Sequence, residues 1–193
     1  MSNNELIEYN KEISIPDHLI SNVDFNYISK RHDVFYLRVS CSNYSNNSVI
    51  ILNSEGEELY NCGFIYRGII VYDNLNFPII NTFIQNSMKY FIYSGEDRNE
   101  ILSFIKFFNS IELKKYEMFF FNKITNQHEV LTILFNETKT KYSVYCNRDC
   151  ENETLICSFG IMKDTDFDFY IEVSPWVDYV QMFGIALCFY NLV

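Results

Sequence analysis

Residues 171–193 read IEVSPWVDYVQMFGIALCFYNLV. From Trp176 onward this stretch carries a single charge, at Asp178, and its apolar residues fall on every side of a helix. Ser174 stands where an N-cap is wanted, Pro175 suits the first helical position, and Asp178 falls in the first turn, where the helix dipole favours an anion. The pattern predicts a helix from Val177 to Val193, about 25 Å long. Tyr179, Val180, Met182, Phe183, Ile185, Leu187, Phe189, Tyr190 and Leu192 go round its whole circumference, and a helix that is apolar all round must be enclosed. A bilayer needs roughly 20 apolar residues, and this tail offers about 15 after Asp178 with no Lys or Arg anchor on either side. Protein is the better enclosure.

The rest of the chain supplies strands to do the enclosing. Short runs of β-branched and aromatic residues alternate with clusters of Asn, Asp, Ser and Gly, which is how strands and turns read. Four segments have the form strand, polar turn, strand: SVIILNSEGEELYNC (48–62), GIIVYDNLNFPIINTF (68–83), MFFFNKITNQHEVLTILF (118–135) and KYSVYCNRDCENETLICSF (141–159). DVFYLRVS precedes them, MKYFIYS and NEILSFIKFF lie between them, and FDFYIEVS follows. That makes about a dozen strands, spaced as in all-β sandwiches and barrels. A sheet that closes on itself removes its own edges and has an interior for one helix. The expected fold is therefore all-β with one helix: a closed antiparallel barrel of about twelve strands around a central hydrophobic C-terminal α-helix. No stretch reads as a linker, so residues 1–193 form one domain, softer over residues 1–12.

Composition bounds the function. The 193 residues are 48% hydrophobic and 18% aromatic, ample for one large core. With 25 acidic against 15 basic residues the formal charge is −10, so a nucleic-acid partner lacks its electrostatic footprint. The start MSNNELIEYNKE has neither a basic n-region nor an apolar h-region, which predicts a cytoplasmic protein. In that reducing compartment Cys41, Cys62, Cys146, Cys150, Cys157 and Cys188 are expected as free thiols, and the sequons at Asn43, Asn46, Asn136 and Asn152 carry no meaning.

The repeated hairpins, the hydrophobic strand after them and above all IEVSPWVDYVQMFGIALCFY resemble the LURP-one-related and phospholipid-scramblase proteins of the tubby C-terminal-like superfamily. The resemblance covers nearly the whole chain and implies a twelve-stranded barrel around a C-terminal helix. One departure stands out: plant-type members usually have Gly between the Pro and the Val, where this chain has Trp176. Scramblases also carry a Pro-rich N-terminal region and a palmitoylated cysteine cluster, and neither is present here. The LURP-one-like branch fits better.

That branch implies a non-enzymatic intracellular binding module, a monomer that takes a lipid head group such as a phosphoinositide, or a protein, and touches membranes peripherally at most. The alternative is a scramblase-like, membrane-associated protein that moves phospholipids between leaflets. Tubby-type domains grip phosphoinositides through basic residues at alternate strand positions, whose side chains share a face, and Lys139 and Lys141 have that spacing. The adjacent pairs Lys114-Lys115 and Lys30-Arg31 would diverge on a strand. Asp164, Asp166 and Asp168 resemble the scramblase segment proposed to bind calcium, and as alternating residues would share one strand face. An EF-hand loop opening at Asp164 would need Gly and Glu where Phe169 and Pro175 stand, so no metal is expected. Cys146, Cys150 and Cys157 lack a nearby fourth ligand for zinc. His18, His32 and His128 sit in polar, turn-like surroundings without a catalytic motif, and with only six glycines there is no phosphate loop. Neither an enzyme nor a cofactor is expected.

Overall fold

The computed structural model describes residues 11–40, 48–109, 114–147, 153–163 and 165–190. Twelve antiparallel strands follow one another in space as in sequence: β1 (Asp33–Ser40), β2 (Ser48–Leu52), β3 (Glu58–Ile65), β4 (Gly68–Tyr72), β5 (Pro78–Asn86), β6 (Lys89–Ser94), β7 (Ile101–Asn109), β8 (Lys114–Asn122), β9 (Gln127–Phe135), β10 (Lys141–Cys146), β11 (Thr154–Ile161) and β12 (Phe169–Val173). β12 returns to pair with β1, so the sheet closes into a barrel. All four predicted hairpins are present.

Alternation decides which side chains enter the barrel. In β8, Tyr116, Met118 and Phe120 are buried while the residues between them face out, as a period of two requires. The turns use one recurring device, a short polar side chain that accepts from backbone N–H groups further on. Asn53 Oδ1 accepts from Glu55 and Glu57, Asp73 Oδ1 from Leu75 and Phe77, and Asn136 Oδ1 from Thr140 and Lys141, at 2.8–3.1 Å. At Gly68 a Cβ would lie 1.8 Å from the Thr82 carbonyl oxygen, so glycine alone lets β4 approach β5 there.

The lumen is filled by α1 (Tyr179–Tyr190), in which every residue from Val180 to Phe189 is buried. Near its start the Phe183 ring packs 4.9 Å from Phe35 and 5.6 Å from Tyr60. Near its end Phe189 sits among Tyr116 at 4.8 Å, Tyr142 at 4.7 Å, Tyr90 at 5.3 Å and Phe159 at 6.0 Å. The all-round apolarity of the tail thus finds its partner in the inward faces of the strands. Among the described residues no helix is long and apolar enough to cross a membrane.

The helix begins later than its sequence suggests. Ser174 is not the N-cap, nor Pro175 the first helical residue: Asp178 caps, its Oδ1 accepting from the Gln181 N–H at 3.0 Å. The cause is long-range. The segment before β1 runs across the mouth of the barrel and takes the backbone groups that a helix would need. Ile20 N–H donates to Trp176 O and Asp178 N–H to Ile20 O, each at 2.9 Å. Trp176 N–H donates to Ser29 O at 2.8 Å, and Ser29 N–H to Val177 O at 2.9 Å. Ser174 instead donates its hydroxyl to Ser14 O at 2.8 Å. Trp176 turns the chain with φ at 73°, a left-handed conformation that glycine adopts freely and a bulky residue at a cost of about 1–2 kcal/mol. The residue stays 45% exposed. The predicted helical residues 191–193 lie outside the described residues.

Before it crosses the mouth, the N-terminal segment runs along the outer wall. Ser14 N–H donates to Leu155 O at 2.9 Å, and Ile13 covers Leu134, Tyr145 and Leu155. Of the softer stretch 1–12, residues 1–10 lie outside the described residues, and Lys11 is held by Glu153 at 3.0 Å. His18 bridges Asp17 at 2.6 Å and Glu129 at 3.1 Å. Burial pulls the His18 pKa down, but the two carboxylates outweigh it and raise it above 6.5. Its contribution to stability is therefore complete below pH 6.5 and is lost as pH rises through the raised folded value. Chemical denaturation midpoints should fall from pH 6 to pH 8.5 in the wild type, and His18→Gln should remove that part of the dependence. An unchanged pH profile in the variant would show that the bridge has no such role.

Candidate functional site

Because α1 occupies the interior, the candidate site lies on the outside of the barrel. On β10, β11 and β12 the residues that alternate with lumen-facing Tyr142, Phe159 and Ile171 face outward. Register sets Ser143 beside Ser158, and Ser158 beside Glu172. With Lys141 and Leu155 from the same wall, His32 from the approach to β1, and Lys11, Glu12 and Ile13 from the N-terminal segment, they line a cleft of about 440 Å³. The sheet forms its floor and the N-terminal segment one of its sides.

The charges in the cleft are unevenly satisfied. His32 Nε2 pairs with Glu172 at 2.8 Å, and Lys11 with Glu153 at 3.0 Å. The Ser158 and Tyr170 hydroxyls are 3.3 Å apart. Lys141 has no ion-pair partner among the described residues. One free ammonium thus shares the cleft with two serine hydroxyls, while Glu172 is engaged by His32 and Glu12 lies at the rim. Chemically this arrangement suits a small anion bearing several acceptor oxygens.

The two lysines singled out by spacing do not share a strand face. Lys139 lies in the β9–β10 turn with φ at 54°, its ammonium 5.7 Å from the Phe135 ring, whereas Lys141 opens β10 and faces the cleft. The Asn136 side chain, by accepting from Thr140 and Lys141, folds residues 136–140 into a turn and breaks the alternation. One member of each of the other basic pairs is engaged: Arg31 with Asp33 at 3.0 Å and Lys115 with Glu117 at 2.8 Å.

The acidic run is not a strand either, since β12 opens at Phe169. Asp168 Oδ2 accepts from Val39 N–H at 2.7 Å and Asp168 N–H donates to Leu37 O at 2.9 Å, so this residue helps to close the barrel against β1. Asp166 is exposed, and Asp164 lies outside the described residues. Among the described residues no three His, Cys, Asp or Glu side chains are grouped to hold a metal ion. Cys62, Cys146, Cys157 and Cys188 are free and buried, while Cys41 and Cys150 lie outside the described residues. Burial pushes the thiols of Cys62 to about 12 and Cys146 to about 11, and raises those of Cys157 and Cys188, which keeps them protonated and unreactive. His128 lies on the outer wall with its ring against Phe121 at 5.3 Å.

Sequence reasoning missed His32, Ser143, Ser158 and Glu172 as site residues. Outward alternation on β10–β12 was a readable signal for the last three, but nothing local joins them to His32 or to the N-terminal segment.

No family model matches the chain, and no curated protein matches it. Among solved structures the fold is similar to the X-ray structure of the Arabidopsis thaliana protein AT5G01750, with a TM-score of 0.65 and 13% identity, covering 89% of this chain and 98% of that chain. At that identity the likeness shows the shared barrel and nothing about its ligand.

Proposed function

We propose that this chain is a LURP-one-related barrel of the tubby C-terminal-like type, and that it works without catalysis as an intracellular binding module whose ligand site is the outer cleft beside Lys141. The ligand is a phosphate-bearing group, either the head group of a phosphoinositide or its soluble counterpart. The observation that carries this reading is the unpaired ammonium of Lys141 in a cleft that Ser143 and Ser158 also line. Phosphate oxygens accept from such donors in charge-assisted bonds. The cleft's volume, about 440 Å³, falls within the range of small-ligand sites. Among the described residues, the buried and protonated thiols of Cys62, Cys146, Cys157 and Cys188 offer no nucleophile.

Membrane contact on this reading is peripheral, weak and salt-sensitive. Each lysine near an anionic surface contributes ~1 kcal/mol, and screening over ~8 Å limits the attraction to nearby charges. The chain's net charge of −10 opposes it. Vesicles of phosphatidylcholine with phosphoinositide should float the wild type in low salt and release it in high salt, and a soluble inositol phosphate should compete. Lys141→Ala should lose both effects, and Lys139→Ala should keep them because its ammonium lies over Phe135 rather than in the cleft. Equal binding by wild type and Lys141→Ala would sink the reading, and flotation that resists salt would favour the scramblase-like alternative.

A further inference from the structure

The outer wall over β5–β9, on strands that do not line the cleft, carries a row of rings. Register places Phe83 beside Phe91, Phe91 beside Phe104, Phe104 beside Phe119, and Phe119 beside Val130. Each alternates with buried lumen residues such as Thr82, Ile92, Ile105 and Met118, so the whole row faces out. Phe104 and Phe119 stack with centroids 4.9 Å apart. With strands about 4.8 Å apart, the row runs roughly 19 Å across the sheet.

Three cations lie over these rings and their neighbours. The Arg98 guanidinium is 4.1 Å from the centroid of Phe83, the Lys89 ammonium 4.9 Å from Phe91 and 5.7 Å from Phe104, and the Lys106 ammonium 4.9 Å from Phe108. None of the three has an ion-pair partner among the described residues. Glu117, which faces out opposite Lys106 in the register, is held by Lys115 at 2.8 Å. In a chain of net charge −10, Lys89 and Lys106 put two unpaired cations on this wall, and Arg98 joins them from the β6–β7 loop, which also carries Glu96, Asp97 and Glu100.

We propose that this wall docks an acidic, apolar segment of a partner protein. The segment's apolar side chains lie along the ring edges, and its Asp or Glu carboxylates meet Lys89, Arg98 and Lys106, whose head groups are already drawn into place over the rings. Two other occupants fit the geometry less well. Bilayer insertion needs apolar groups that reach ~5–10 Å past the headgroups, and these rings lie half-buried in a strand wall rather than at loop tips. Nucleic-acid bases need open ring faces, and here the faces are covered by cations or by one another. The site is separate from the cleft and stands or falls independently of it.

Selection of phage-displayed random 12-residue peptides on the immobilised protein tests the proposal. Peptides rich in Asp or Glu together with Leu, Phe or Trp should be enriched. Binding of a peptide so enriched should weaken at least tenfold for Lys89→Glu/Lys106→Glu, and that variant should itself enrich Lys- and Arg-containing peptides. The changes are on the outer face, so the unfolding midpoint checks that the variant remains folded. Lys141→Ala should bind the same peptides as the wild type, which separates failure of this proposal from failure of the cleft. The proposal is overturned if no acidic class is enriched, or if enrichment ignores the charge reversal. It is equally overturned if the pair of lysines governs binding of phosphatidylserine vesicles or of a single-stranded oligonucleotide rather than of peptides.

Discussion

Phe189→Ala is expected to cost about 3–5 kcal/mol, a large part of what a domain of this size has to lose. Its ring is fully buried and packs among Tyr90, Tyr116, Tyr142 and Phe159, which come from four different strands, so no single neighbour can move in to fill the space. The cost therefore combines lost transfer energy with a residual cavity. Phe64→Ala, at a phenylalanine 44% exposed on β3, is the matched control and should cost well under half as much. Denaturant titrations of both variants make the comparison. Equal shifts would mean that α1 does not anchor the barrel. Ending the chain after Ser174 is the limiting case, and that protein should show no cooperative unfolding transition.

The second large effect is expected at Asp178. Its carboxylate is fully buried and accepts from the Gln181 N–H at 3.0 Å, the Ser21 hydroxyl at 2.8 Å and the Val23 N–H at 3.1 Å. It thus caps the helix and ties the mouth-crossing segment to it. Asp178→Ala strands all three donors away from water at about 1–3 kcal/mol each, not fully additive, so a loss of about 3–5 kcal/mol is expected. Burial raises the folded-state pKa of Asp178 above its ordinary 3.8, against the pull of its donors. For a carboxyl raised in this way the folded state binds the proton more tightly than the unfolded one. The corresponding stability is present below pH 3.8 and declines as pH rises through the folded pKa. The stability difference between wild type and Asp178→Asn should accordingly shrink on going from pH 3.5 towards neutrality. If it widens instead, the donors outweigh burial at this site.

How far the sequence could be read depended on the range of the interaction that decided each feature. The hairpins were legible because a strand pair and its turn lie within about twenty residues, as from Met118 to Phe135, and alternation needs no partner to be recognised. The lumen helix was legible because Val180 to Phe189 exclude every solvated arrangement. Its start was not, since Ser174 and Pro175 make a good local cap, and the bonds that override it come from Ile20 and Ser29. Lys139 and Lys141 were misread for a nearer reason: Asn136 announces a turn, and the spacing rule was applied across it. The cleft joins His32 to Glu172, and the aromatic wall needs the registers of five strands, so both became visible only once the barrel was closed.

The pairing of β1 with β12 has a consequence for the chain as it is made. At about 5–20 residues per second, roughly 7–27 s separate the synthesis of Asp33 from that of Phe169, the first residues of the two strands that close the sheet. Throughout that interval β2 to β11 can pair in sequence, but their inward faces have nothing to rest on, because the helix that fills them follows β12. A ribosome-bound intermediate would be a curling sheet with an aromatic concave side and two bare edges, the form most open to wrong pairing. Conditions that slow translation near the last strand should then raise aggregation more than the same slowing near β1, whereas holdase chaperones that cover apolar sheet should lower it.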